Sequence, residues 1–251
     1  MICYFSATGN SKAVAQQIAS ITKDRLVSIT EFIKLNQHHV TLAKGEALGF
    51  IFPTYFLGLP YQLDNFINQL QLDSEDHPYI FIVATYGNSS GHALRDMQQL
   101  LTNRQLHVSS SYGIRMVDTW TPIFNLSNQT KNINKNNLAM EKARNIAAMI
   151  KQRQMHQKIE LIPAIITSQF HKVYEKKRQT ANFIVENTCI GCSLCEKNCP
   201  HQAIRMQDGK PVWIKTDCYA CLSCLHHCPR FAIQYGTSTR HHGQFVNPHA
   251  Q

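Results

Sequence analysis

What this 251-residue chain lacks narrows its function before any motif is read. No apolar run approaches the roughly 18 residues of a membrane-spanning helix. The first residues, MICYFSATGN, carry no basic segment followed by a long apolar stretch and a cleavage site, so no secretory signal is expected and the cytoplasm is the expected compartment. There is no glycine-rich ATP-type loop ending in Gly-Lys-Ser/Thr and no multi-glycine dinucleotide fingerprint. No recognisable nucleic-acid-binding module is present either. Cysteine is almost absent from the first 188 residues, where Cys3 stands alone inside an apolar run and reads as a small buried hydrophobe. Acidic residues are few, 16 Asp and Glu against 25 Lys and Arg. More than half of the positive excess falls in residues 151–180, in KQRQMHQK and HKVYEKKR. Such a stretch is either a solvated helical face or a surface that attracts acidic partners.

What is present begins with an alternation. Short apolar, β-rich runs at 1–5, 25–29, 47–52, 79–84 and 108–117 read as buried parallel strands. Helical patterns lie between and after them, at about 10–21, 61–71, 91–104 and 136–156. In the last of these Ala139, Ala143, Ile146, Ala147 and Ile150 form one apolar stripe. Strand and helix in turn predict an α/β fold, a doubly wound parallel sheet with helices on both faces. The alternation stops near 160. Pro163 interrupts it, and a basic connecting segment at 158–182, helical at 168–179, is expected to follow residues 1–157.

From 183 the elements become short and cysteine dominates. Residues 189–200 read CIGCSLCEKNCP and residues 218–229 read CYACLSCLHHCP, each C-x2-C-x2-C-x3-C-P. Three thiolates in one tight turn can take three corners of a cubic iron–sulfur cluster. In the two-cluster ferredoxin spacing the fourth corner comes from the other half. That rule assigns Cys189, Cys192, Cys195 and Cys228 to one cluster, and Cys218, Cys221, Cys224 and Cys199 to the other. Zinc favours paired C-x2-C units, four ligands to a site, and a disulfide framework is out of place in a cytoplasmic chain. His226 and His227 lie between assigned thiolates and read as neighbours of the cluster or as surface residues. A small domain at 183–236 held by its clusters is expected, with a tail of no clear periodicity at 237–251.

The chain opens with a strand that runs into SATGNS and then a helix. Free backbone N–H groups and the positive end of the helix dipole suit a phosphate there. Ser6, Thr8 and Ser11 would add hydroxyl donors, Asn10 lies at the helix start, and Gly9 permits close approach or a positive φ. The alternative is a Ser/Thr N-cap on an ordinary helix. Two further loops sit at the carboxyl ends of predicted strands, where ligands bind in such sheets. They are FPTYFLGLP, with Pro53, Thr54, Tyr55 and Phe56, and ATYGNSSG, with Thr85, Tyr86, Gly87, Asn88 and Gly91. Aromatics beside turn residues could border a flavin ring, and a single phosphate loop suggests FMN. Trp120 could face the flavin or the second domain, or simply pack.

On these motifs residues 1 to about 155 resemble a flavodoxin and the last 70 or so resemble a two-cluster bacterial ferredoxin. Together they resemble the EFR-type ferredoxin–flavodoxin fusion proteins of anaerobic bacteria. The resemblance extends to GKPVW at 209–213, AIQYG at 232–236 and the FVNP near the end. It implies a five-stranded sheet of order 2-1-3-4-5, FMN at the three loops and two [4Fe-4S] clusters. It also implies electron transfer with redox partner proteins, and no particular substrate. Flavodoxins are usually acidic, whereas residues 1–150 here hold 12 basic against 10 acidic residues, so a different docking partner is expected. A reductase of a small molecule fed by the clusters, and a flavin-free ferredoxin with a docking platform, are the competing expectations.

Overall fold

In a computed structural model of the chain, residues 1–159 and 162–250 are described. The order of elements begins β1 (Ile2–Tyr4), α1 (Asn10–Thr22), β2 (Leu26–Ser28), α2 (Ile29–Lys34), β3 (His39–Thr41) and β4 (Leu48–Pro53). It continues with α3 (Tyr61–Gln69), β5 (Gln71–Asp73), β6 (Ile80–Tyr86), α4 (Ala93–Asn103), β7 (Val108–Arg115) and α5 (Gln129–Lys151). Five strands form one parallel sheet in the order β2-β1-β4-β6-β7. Setting aside β3 and β5, which pair with each other as a small parallel ladder, this is the expected order 2-1-3-4-5.

The central strands are apolar on both sides because both faces are covered. Phe50, Phe52, Ile80 and Ile82 pack against Leu63, Phe66 and Ile67 of α3 and Leu94, Met97 and Leu101 of α4. On the other face Ile2, Ile51, Phe81 and Val83 meet Val14 and Ile18 of α1 and Ala143, Ile146 and Ala147 of α5. Cys3 lies in the first of these cores, fully buried, and burial pushes its thiol up to about 12. Helix α5 starts seven residues before its apolar stripe suggests, because Asn128 caps it by accepting the N–H of Lys131 at 2.9 Å.

Pro163 is the N-cap of α6 (Ala164–Lys177), which begins four residues earlier than expected. The break near 160 falls partly on residues 160 and 161, outside the described residues. The C-terminal part carries two antiparallel pairs, β8 (Phe183–Val185) with β11 (Ile233–Tyr235), and β9 (Ile204–Gln207) with β10 (Lys210–Trp213). Short helices α7 (Leu194–Lys197) and α8 (Ser223–His226) follow the two cysteine turns, and α9 (Thr239–His242) precedes the tail. Among the described residues no helix is long and apolar enough to cross a membrane.

Candidate functional site: a strand-end cavity walled by a cysteine turn

The three loops at the carboxyl ends of β1, β4 and β6 meet around one cavity of about 300 Å³. Ser6, Thr8, Asn10, Ser11, Pro53, Thr54, Tyr55, Phe56, Thr85, Tyr86, Gly87 and Asn88 line it; Gly9 and Gly91 do not. Gly91 serves packing instead. Its φ is +53° and a Cβ there would stand 2.1 Å from the Leu57 carbonyl oxygen. Gly9 is the N-cap of α1 at φ +91°, so no side-chain hydroxyl caps this helix. The first N–H groups of α1 have no carbonyl within the helix to receive them.

The loop hydroxyls are not equivalent. Ser11 Oγ is 2.9 Å from Thr85 Oγ1, and Thr8 Oγ1 lies 3.4 Å from Thr119 Oγ1. Ser6 Oγ, by contrast, is buried with no hydrogen-bond partner, as are Thr54 Oγ1, the Tyr55 hydroxyl and Trp120 Nε1. All four residues line the same cavity. Buried polar atoms cost free energy when left unpaired, so four of them converging on one cavity fit a polar ligand there.

Tyr55 to Gly58 close a tight turn through two backbone hydrogen bonds of 3.1 and 2.9 Å. Phe56 and Leu57, its central residues, both lie in the left-handed region, at φ +47° and +62°. Non-glycine residues adopt that conformation at a cost of about 1 kcal/mol or more each, offset here by packing. The Phe56 ring stacks on Tyr174 at 5.0 Å and meets Trp120 edge-on at 4.9 Å. Lys158 Nζ lies 4.8 Å above the Tyr86 ring.

Residues the motifs did not mark complete the wall. Asp118 and Thr119 come from the segment after β7, Ile123 and Phe124 from the turn beyond it, and Phe170 from α6. Burial pushes the Asp118 carboxyl up, against the lowering effects of the Trp120 N–H and Lys135. Ala220 and Cys221, from the second cysteine turn, line the cavity as well. No signal near Ile123 or Phe170 could have revealed this, because only the tertiary arrangement brings α6 and the cysteine turn to the sheet edge. Trp120 stands at that junction, in the cavity wall and edge-on to Tyr235 at 5.4 Å.

Two small cavities lie within the C-terminal part. Cys189, Cys192, Cys195 and Cys228 line one, and Cys199, Cys218, Cys221 and Cys224 the other. The structure thus draws the eight thiols into the same two sets that the spacing rule draws. Among the described residues no three of His, Cys, Asp or Glu converge on a single point that could hold one metal ion. Backbone N–H groups of Ala203, Ala220 and Ala232 donate to the sulfurs of Cys199, Cys218 and Cys228 at 3.2–3.3 Å. Burial pushes the thiols of Cys195 and Cys218 up to about 11, so metal binding must release their protons. Trp213 stacks on Phe183 at 4.7 Å beside the second cavity.

The duplication extends to the backbone. Gly191 and Ala220, Ser193 and Leu222, and Gln202 and Phe231 hold equivalent positions in the two halves, and all six have positive φ. Ala203 and Ala232, which donate to the fourth cysteine of each half, are equivalent too. His226 is buried between the halves of the molecule. It donates from Nε2 to the Thr119 carbonyl at 2.8 Å and accepts the Phe245 N–H on Nδ1 at 3.2 Å, and burial lowers its pKa to about 4.

A strand-end cavity with unpaired polar atoms, joined to two cysteine quartets, defines an electron-transfer flavo-iron-sulfur protein. Comparison with known families agrees: residues 1–131 match the flavodoxin domain and residues 188–233 match the 4Fe-4S dicluster domain. The chain belongs to the flavodoxin-domain family and is a flavodoxin–ferredoxin fusion, with a flavin domain and an iron–sulfur domain in one polypeptide. Solved structures similar to it include a flavoprotein from Bacteroides uniformis, at 16% identity over 47% of this chain and 90% of that one, TM-score 0.33. Another is a Streptococcus pneumoniae flavodoxin, at 16% identity over 58% and 97% of the two chains, TM-score 0.32. A third is the Megasphaera elsdenii flavodoxin, at 12% identity over 57% and 99%, TM-score 0.29. Among curated proteins none matches the chain.

Proposed function

We propose that this protein carries FMN in the strand-end cavity and two [4Fe-4S] clusters in the two cysteine cavities, and serves to pass single electrons between them. One observation carries the reading. Cys221, assigned to a cluster by spacing, lines the same cavity as Ser6, Thr54 and Trp120. Flavin and cluster sites therefore share a wall. When bound, these groups supply the one-electron chemistry; the chain supplies their placement. Tyr55, Phe56 and Trp120 exclude water at the shared wall, and the N–H groups of Ala203, Ala220 and Ala232 tune the sulfurs they meet. Residues 1–157 and 183–236 act as the two units on this reading, joined by 158–182.

Partners are redox proteins. At the cavity edge Ile123 and Phe170 are exposed, and α6 continues the apolar patch with Ile166. Lys172, Lys176 and Lys177 are exposed on the same helix, a surface that suits an acidic partner.

The test is anaerobic quantification of iron, sulfide and flavin on one sample. About eight iron atoms and about one FMN per chain are expected. A colourless or zinc-only preparation overturns the proposal. Clusters without flavin favour a docking platform, and rapid flavin reoxidation by small acceptors alone favours a reductase.

A further inference from the structure

The last residues of the chain, which show no periodicity, tie the two candidate sites together. Gln244 Nε2 donates to the carbonyls of Leu225 and Cys228 at 2.6 and 2.8 Å, and the Phe245 N–H donates to His226. This end is thus anchored on the turn between the last two cysteines. Phe245 then buries itself against Val117 and Leu126. Two residues further on, Asn247 is 2% exposed and engages the opening loop twice. Its backbone N–H donates to the Thr8 carbonyl at 2.8 Å, and its Nδ2 donates to Asn10 Oδ1 at 2.9 Å. Asn10 in turn donates from Nδ2 to the Val117 carbonyl at 3.0 Å. Ala250 closes the arrangement: a Cβ on Gly9 would stand 2.8 Å from the Ala250 Cβ and 3.1 Å from that of Asn247. The single glycine of the opening loop is therefore required by the chain's own C-terminal segment as well as by its positive φ.

These contacts occupy the Thr8 carbonyl and the Asn10 side-chain amide. Ser6 and the first turn of α1 are left to the cavity, where Ser6 Oγ has no partner. A loop held in that state binds an anion without first having to order itself. We infer that residues 244–250 form a strap that fixes the phosphate loop, with Asn247 as a positioning residue for the FMN phosphate. Because the strap is anchored on the Leu225–Cys228 turn, phosphate recognition depends on the cysteine-bearing unit. The inference rests on the cavity being the FMN site.

The test compares FMN with riboflavin, which lacks the phosphate, on flavin-stripped, cluster-loaded full-length protein. Asn247→Ala is expected to raise the Kd for FMN about tenfold, the loss of a hydrogen bond to a loop that meets an ionised group, while leaving the Kd for riboflavin within about twofold of the parent. Gln244→Ala, which cuts the anchor without touching the loop, is expected to give a smaller effect of the same kind, about threefold. His241→Ala, an exposed change on α9, serves as the control and should alter neither. Unchanged FMN affinity in Asn247→Ala, or equal weakening of FMN and riboflavin, overturns the inference. Thermal unfolding and cluster absorbance of each variant separate lost folding from lost positioning. If the parent binds no FMN, it is the assignment of the cavity that fails.

Discussion

The phenol of Tyr174, on α6, donates a hydrogen bond to the carbonyl of Tyr219, inside the second cysteine turn, at 2.9 Å. Tyr174 is 1% exposed, and its ring also stacks on Phe56 at the cavity wall. The connecting helix is thus buttressed on both sites by one side chain. Tyr174→Phe should cost about 1–2 kcal/mol, since it strands a buried carbonyl. Tyr174→Ala should cost about 3–5 kcal/mol and also lower flavin content, because Phe56 loses its stacking partner. Urea unfolding and flavin absorbance measure the two effects.

Unpaired hydroxyls make an opposite-signed prediction for stability and for binding. Thr54 Oγ1 is buried without a partner, so Thr54→Val should leave the flavin-free protein at least as stable as the parent. The same change should weaken FMN binding about fivefold or more, the cost of one lost hydrogen bond. A drop in apo stability with intact FMN affinity would show that the hydroxyl serves the fold.

The cysteines should separate by cavity. Cys195 lines the cysteine cavity that shares no residue with the strand-end cavity, so Cys195→Ser should lower iron content by about half and lower FMN content less than Cys221→Ser does. Cys221 lines both a cysteine cavity and the strand-end cavity, and Cys221→Ser should disturb iron and FMN together. Cys3→Ser, in the core of the first sheet face, should leave both contents unchanged and lower the unfolding midpoint. Metal analysis with flavin release on the same samples decides.

Equivalent turn positions should respond unequally. A Cβ on Gly191 would stand 2.9 Å from the Gly209 carbonyl oxygen, and φ there is +70°. Gly191→Ala should therefore destabilise by about 1–2 kcal/mol. At the matching Ala220, φ is +50°, and Ala220→Gly should be neutral or stabilising by up to about 1 kcal/mol. Thermal midpoints of the cluster-loaded variants check the pair.

Asp118 predicts a pH dependence. Burial raises its folded-state pKa above that of the unfolded chain, so the folded protein holds the proton longer. Stability from this group is then highest below the unfolded value of about 3.9 and falls as pH rises through the folded value. Asp118→Asn removes that slope. Its gain in urea midpoint over the parent should be larger at pH 7 than at pH 4; an equal gain at both would count against the buried carboxylate.

Much of this architecture is legible in the sequence. The apolar runs of β1, β4 and β6 are buried on both faces, and such strands announce themselves as continuous stretches. The two groups of cysteines that line the two small cavities share one spacing, which on the proposed reading reflects the geometry of a cube. What stayed hidden has a physical reason in each case. Strands β3 and β5 are three residues each and pair only with one another, so neither carries a periodic pattern. The early start of α5 depends on the Asn128 cap rather than on apolar residues. Asp118, Ile123 and Phe170 reach the cavity from segments that no motif marks. The C-terminal tail is held by amide hydrogen bonds from Gln244 and Asn247, which leave no trace in hydropathy.

The chain has two tryptophans, and each occupies a separate site wall: Trp120 at the strand-end cavity, Trp213 at the cavity of Cys199, Cys218, Cys221 and Cys224. Indole emission is therefore a built-in, two-channel reporter of cofactor loading. Removing one indole at a time, as Trp120→Phe or Trp213→Phe, leaves a single emitter whose quenching times the filling of its own site.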